Sequence, residues 1–150
     1  MTDKATANAA LYEQDFAQWA AETADLVKAG RFDDLDTSVL WEEINAMAGR
    51  EERDLISRLK QLVGHLLKWQ YQPERRSRSW ITTIGNQRDE IQGIFELSPS
   101  LRRTAALRYE KAYALGRKLA LNETGLAKTM IPEQPPFTLE QALDEEFMAE

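Results

Sequence analysis

One apolar stripe limits what this chain can fold into. Leu40, Ile44, Met47, Leu55, Leu59, Leu62, Val63, Leu66 and Leu67 fall on one side of a 3.6-residue period. That is the face of a single α-helix. It starts at the N-cap candidates Asp36, Thr37 and Ser38 and stops near Tyr71. Pro73 ends it, because proline restricts the residue before it and cannot extend the backbone ladder. About 33 residues at 1.5 Å each make a rod of about 50 Å. That is long for a chain of 150 residues, and a bend at Gly49, mid-stripe, would shorten it.

Shorter stripes flank the long one. Tyr12, Phe16, Trp19, Thr23, Leu26 and Val27 predict a helix over 11–29, closed by a left-handed Gly30. Trp80, Ile81, Ile84, Ile91, Ile94 and Phe95 predict another over 79–97, capped by Ser77 or Ser79. A fourth, over 99–123, carries Leu101, Ala105, Ala112, Leu115 and Leu119. Pro99 sits in its first turn, where the missing N–H costs nothing. Residues 1–10 are small and polar and are expected to be frayed. Residues 124–150, with Pro132, Pro135 and Pro136, are expected to be extended until Thr138 caps a short helical turn through Leu143. There is no β-alternation and no internal repeat. The expected fold is all-α: one domain over 11–150, an antiparallel up-down bundle of about four helices with an extended C-terminal tail wrapped outside it.

Composition narrows the chemistry. With 43% hydrophobic and 29% charged residues the chain lies outside the disordered regime. It has no cysteine, hence no thiolate nucleophile and no Cys-ligated metal, and a single histidine, His65. No phosphate loop, nucleophile elbow or zinc-protease motif is present. Neither cofactor nor metal is expected. There is no apolar run near 18 residues and no signal peptide at Met1, so the expectation is a soluble cytoplasmic protein with no membrane partner. The net charge of -6 is unevenly spread. Residues 1–49 hold 3 basic and 10 acidic groups, residues 50–78 hold 8 and 4, residues 79–121 hold 7 and 4, and residues 122–150 hold 1 and 7. The acidic ends are expected to fold over the basic middle. Net acidity disfavours nucleic acid as a partner, since such binding depends on concentrated Lys/Arg charge.

Charge also enters the core register. Glu51, Arg58 and His65 are spaced by seven beside the long stripe. Arg88 falls between Ile84 and Ile91, and Arg108 between Ala105 and Ala112. Burying an ion without a partner is costly, so these residues are expected to pair across the bundle in a network that fixes helix register. The alternative is a polar pocket for an anionic ligand. A second cluster is Gln72-Pro73-Glu74-Arg75-Arg76-Ser77-Arg78-Ser79-Trp80, where three arginines precede a helix N-terminus that already favours anions. Trp69, Tyr71 and Trp80 bracket them with aromatic surface. Carboxylates recur at i and i+3 as Glu22/Asp25 and Glu51/Asp54, the spacing by which helices present magnesium to nucleotides. The all-α pyrophosphohydrolases use one E-x-x-E pair and one E-x-x-D pair, but here Glu42 is followed three residues on by Asn45.

Taken together, YEQDFAQW (12–19), AGRFDDLD (29–36), WEEI (41–44), LVGHLLKWQYQPERRSRSW (62–80), SPSL (98–101), ETGL (123–126) and PPFTLEQALDEEF (135–147) resemble a bacterial family, domain-of-unknown-function family 29. The resemblance covers nearly the whole chain from Tyr12 onward. It implies an all-helical single domain and brings no catalytic residues with it.

The leading expectation is therefore a small helical interaction module without catalysis, whose partner is another protein or a second copy of itself. Its binding surface is expected at Arg75, Arg76, Arg78, Trp80 and Trp69, supported from within by His65, Arg58, Glu51 and Arg88. An exposed Trp19 or Trp41 would mark a face for self-association. The competing expectation is a magnesium-dependent nucleotide hydrolase using Glu22, Asp25, Glu51 and Asp54. A third is nucleic-acid binding.

Overall fold

The computed structural model describes residues 3–150. Its α-helices are α1 (Lys4–Gln14), α2 (Phe16–Lys28), α3 (Thr37–Tyr71), α4 (Arg78–Leu97), α5 (Leu101–Thr124) and α6 (Leu139–Leu143), with 3-10 turns at Phe32–Asp34, Pro73–Arg75 and Lys128–Met130. Among the described residues there is no strand. The helices fall into two compact units, Met1–Arg50 and Glu51–Glu150, and α3 runs unbroken from one into the other through Gly49.

The N-terminal unit departs from expectation at its start. Instead of a frayed segment, residues 4–14 form α1; Met1 and Thr2 lie outside the described residues. Polar contacts hold this helix in place of an apolar stripe. Asn8 is buried, donates to Thr23 Oγ1 at 3.0 Å and accepts from the Asp36 N–H at 3.2 Å. Tyr12 donates to Glu43 at 2.9 Å and meets Trp19 edge-on, with ring centres 4.7 Å apart. The helix expected over 11–29 is split at Asp15, whose extended backbone ends α1 and whose carboxylate caps α2 by accepting from the Gln18 N–H. These contacts fix direction as well. The pairs Asn8/Thr23 and Tyr12/Trp19 make α1 and α2 antiparallel, while Asn8/Asp36 and Tyr12/Glu43 make α1 parallel to α3. Gly30 takes the left-handed conformation, φ 70°, and ends the unit's second helix.

The second unit is an up-down bundle. Lys68 lies by Trp80 and Arg58 by Gln87, so α3 and α4 are antiparallel. Glu52 meets Arg108 and Lys68 meets Glu123, so α3 and α5 run parallel. Of the four long helices predicted, three build this bundle and the first belongs to the other unit. Leu55, Leu59, Leu62, Val63, Leu66 and Leu67 from α3 pack with Ile84, Ile91 and Phe95 from α4 and with Ala105, Ala112, Tyr113 and Ala120 from α5. Ile131, Phe137, Ala142 and Ala149 of the tail complete the same core. The tail is therefore part of the core and not merely a wrapping.

Helices α3 and α5 approach each other closely at Gly116. A Cβ there would lie 2.7 Å from Val63 Cγ1 and 3.0 Å from the Lys60 carbonyl oxygen. Gly116→Ala is expected to destabilise the fold by about 1–3 kcal/mol through overpacking, against alanine's advantage in helix propensity. Gly85→Ala in α4 meets nothing within 4 Å and should stabilise by about 0.5–1 kcal/mol. Urea denaturation of the two variants checks that opposite pair of signs.

Candidate interaction sites

The hinge between α3 and α4 is shaped by local rules. Pro73 opens a 3-10 turn to Arg75, and Ser77, in extended conformation, caps α4 by accepting from the Trp80 N–H at 3.4 Å. The last turn of α3 leaves carbonyls without intrahelical donors. Arg76 Nε donates to one of them, that of Trp69, at 2.9 Å, and its guanidinium lies 4.7 Å from the Trp69 ring centre. Lys68 is 7% exposed, ion-pairs with Glu123 of α5, and sits 5.1 Å from the Trp80 ring centre. Two cations and both tryptophans thus brace the hinge. Arg75 and Arg78 are exposed. Among the described residues neither makes an ion pair or a side-chain hydrogen bond.

The charges in the core register do not converge on a pocket. Arg58 pairs with Asp54 of its own helix at 3.3 Å and with Glu90 of α4 at 3.7 Å, and meets Gln87 at 3.5 Å. Arg108 pairs with Glu52 at 2.9 Å. Glu51 is exposed and has no partner among the described residues. His65 is half-buried, its Nδ1 2.8 Å from the Gln61 carbonyl one turn back. Burial lowers the His65 pKa, and the Gln61 carbonyl opposes that shift.

Arg88 does something the sequence pattern does not disclose. It is buried, and its guanidinium donates to three tail carbonyls: Ala142 at 2.8 Å, Phe147 at 2.7 Å and Glu145 at 3.5 Å. Ala142 lies at the C-terminal end of α6, where carbonyls lack intrahelical donors. On α5, Arg117 donates to Ile131 and Lys128, Tyr113 to Pro132 and Tyr109 to Phe137. Burial pushes the Tyr113 hydroxyl up to about 12 and raises that of Tyr109, so both remain protonated donors at neutral pH. All four side chains are tail clamps.

The carboxylates of the hydrolase expectation are divided between the units, Glu22 and Asp25 in the first and Glu51 and Asp54 in the second. Glu22 accepts from Gln18 at 2.9 Å, and Asp54 is taken by Arg58. Among the described residues no three His, Cys, Asp or Glu side chains gather as a metal site. No helix among them is long and apolar enough to cross a membrane.

A feature absent from the sequence expectations lies in the N-terminal unit. Between α2 and the start of α3 runs an open groove of about 820 Å³, lined by Phe16, Trp19, Ala20, Val27, Leu40, Ile44 and Met47 among others. Phe16, Val27, Ile44 and Met47 are 43–58% exposed, although their spacing reads as core. Trp19 is buried, its indole N–H without a partner among the described residues, whereas Trp41 is exposed. The only sequence hint was negative. Helix α1 offers alanines, Asn8 and Tyr12 as cover, too little apolar surface for two full stripes.

In comparison with known proteins, the family described as Domain of unknown function DUF29 matches residues 11–148. No curated protein and no solved structure matches the chain.

Two predictions follow from the clamps and the histidine. Arg88→Met strands the Ala142 and Phe147 carbonyls and is expected to cost about 2–3 kcal/mol. Hydrogen exchange should show the tail losing protection before the helices do. For His65, the unfolded chain binds the proton more readily than the fold, so stability is fully present above the ordinary imidazole pKa of about 6.5 and falls as pH drops through it. Urea midpoints should decline from pH 7.5 to pH 5.5 in the native chain, and less steeply in His65→Gln.

Proposed function

The chain belongs to the family Domain of unknown function DUF29, and from that premise we propose that it is an interaction module whose hinge between α3 and α4 engages an acidic surface on a protein partner. The observation that carries this reading is the division of labour among the hinge cations. Arg76 and Lys68 are consumed in bracing, while Arg75 and Arg78 are exposed and without a partner among the described residues. Arg75 ends the 3-10 turn and Arg78 is the first residue of α4, whose N-terminal N–H groups add to the positive potential. Planar guanidinium groups match carboxylates in two-pronged contacts.

A protein surface suits this hinge better than nucleic acid. Base stacking needs open aromatic faces, and one face of each hinge tryptophan is already covered by Arg76 or Lys68. The net charge of -6 also opposes a long polyanion. The same reading carries a cytoplasmic location, which cell fractionation tests.

The full chain and an Arg75→Ala/Arg78→Ala variant would be compared by affinity purification from cells that produce the protein, followed by mass spectrometry. Both changes are on the surface, so folding stability should move by no more than about 0.5 kcal/mol. Partners held by the native chain at 50 mM salt should be lost from the variant and weakened at 300 mM. Retention of the same partners by the variant refutes the hinge. Partners that vanish on nuclease treatment favour nucleic acid instead.

A further inference from the structure

In the second unit an open cavity of about 480 Å³ lies between α5 and the stretch of tail that leads into α6. Tyr109 and Glu110 line it from α5, and Pro135, Pro136, Leu139 and Glu140 from the tail. That volume falls within the range of small-ligand sites. Local rules hold its walls in place. The Tyr109 hydroxyl donates to the Phe137 carbonyl at 2.8 Å, and the capping box between Thr138 and Gln141 pins the first turn of α6. Pro135 and Pro136 fix their own φ. The cavity is therefore preformed, and a guest need not order it.

Its charge has one sign. Two carboxylates line the cavity and, among the described residues, no lysine or arginine does. Glu110 and Glu140 are exposed, and among the described residues neither makes an ion pair or a side-chain hydrogen bond. Their helices do not neutralise them either, since no lysine or arginine stands three or four residues to either side of Glu110 or Glu140. The surrounding tail deepens the potential, with 6 acidic groups and 1 basic group in residues 126–150. The Tyr109 hydroxyl responds to it: burial raises its pKa, and Tyr113 and the Glu140 charge add to the shift.

We propose that this cavity receives an alkylammonium group, of the kind carried by a lysine side chain or a free primary amine. Pro135, Pro136 and Leu139 offer apolar surface to the alkyl stem, while the charged head meets the carboxylates. An ammonium has three donors diverging from one atom, so it can serve carboxylates on two different elements. A guanidinium is a flat fork matched to a single carboxylate and suits this lining less well. A divalent metal is not matched either, because among the described residues no three His, Cys, Asp or Glu side chains gather to hold one.

The test is a nuclear magnetic resonance titration of the full chain labelled with nitrogen-15. N-acetyl-lysine methylamide should shift the backbone amides of Leu139, Glu140 and Gln141 and saturate, with a dissociation constant of about 1–10 mM, as expected of partly exposed ion pairs. Butylamine separates the two sources. If it saturates the same amides, an ammonium on a bare alkyl stem suffices; if only the capped lysine does, the source is a lysine of a partner chain. Glu110→Gln leaves α6 untouched and should weaken binding about fivefold. Glu110→Gln/Glu140→Gln should abolish saturation while keeping the native urea midpoint. The proposal is independent of the hinge, and Arg75→Ala/Arg78→Ala should bind the capped lysine as the native chain does. Equal saturation by the uncharged N-acetyl-norleucine methylamide overturns it. So does saturation that survives the double glutamate substitution, or none by either amine up to about 50 mM, well beyond the range of such ion pairs.

Discussion

Backbone polar groups must be satisfied wherever they are buried, and the C-terminal tail is where that requirement weighs most on this protein. Residues 126–150 contain three prolines and one five-residue helix, so they provide few hydrogen bonds for themselves. The bundle supplies the donors. Arg88 of α4 and Tyr109, Tyr113 and Arg117 of α5 reach the tail's carbonyls. In return the tail delivers Ile131, Phe137, Ala142 and Ala149 to the core. Three helices alone would leave that side of the core open. Clamping and closure are thus one event, and Arg88, a charge amid an apolar stripe, is the residue on which it turns.

The two units solve the burial problem differently. The second closes its core within the chain. In the first, Asn8 and Tyr12 fix three helices by hydrogen bonds and two edge-on aromatic contacts, while the groove between α2 and α3 stays open. Polar contacts specify geometry well but contribute little net stability each. The N-terminal unit is therefore held mainly by polar contacts and is poorly supplied with apolar burial among the described residues.

Electrostatics divides along the same line. Fifteen basic and fifteen acidic groups balance in the second unit, and the excess acid sits in the first. Within the balanced unit the cations have distinct tasks. Arg58 and Arg108 join helices through partly exposed ion pairs of the modest kind. Arg88 and Arg117 hold backbone, Arg76 and Lys68 cover aromatic rings, and Arg75 and Arg78 are exposed without a partner among the described residues. Proximity in sequence conceals this difference, since Arg75 and Arg76 are neighbours with opposite roles.

What the sequence determined is what depends on a few neighbouring residues. The stripe from Leu40 to Leu67, the stop at Pro73, the left-handed Gly30 and the caps at Ser77 and Thr138 were legible, because periodicity, a fixed φ and a free hydroxyl act within one or two turns. The hinge was legible as a concentration of arginine and tryptophan, though not which arginines were free. Helix α1 was missed because alanines and one well-placed Asn8 leave no apolar signature. The role of Arg88, the tail's place in the core and the open face at Ile44 and Met47 were decided only by tertiary structure. Each depends on what stands opposite a side chain, from 54 to 59 residues away for Arg88 and the tail, or, at Ile44 and Met47, on how little of the N-terminal unit's described residues stands there. A stripe marks a face that favours burial; only the assembled helices decide whether it is buried and against what.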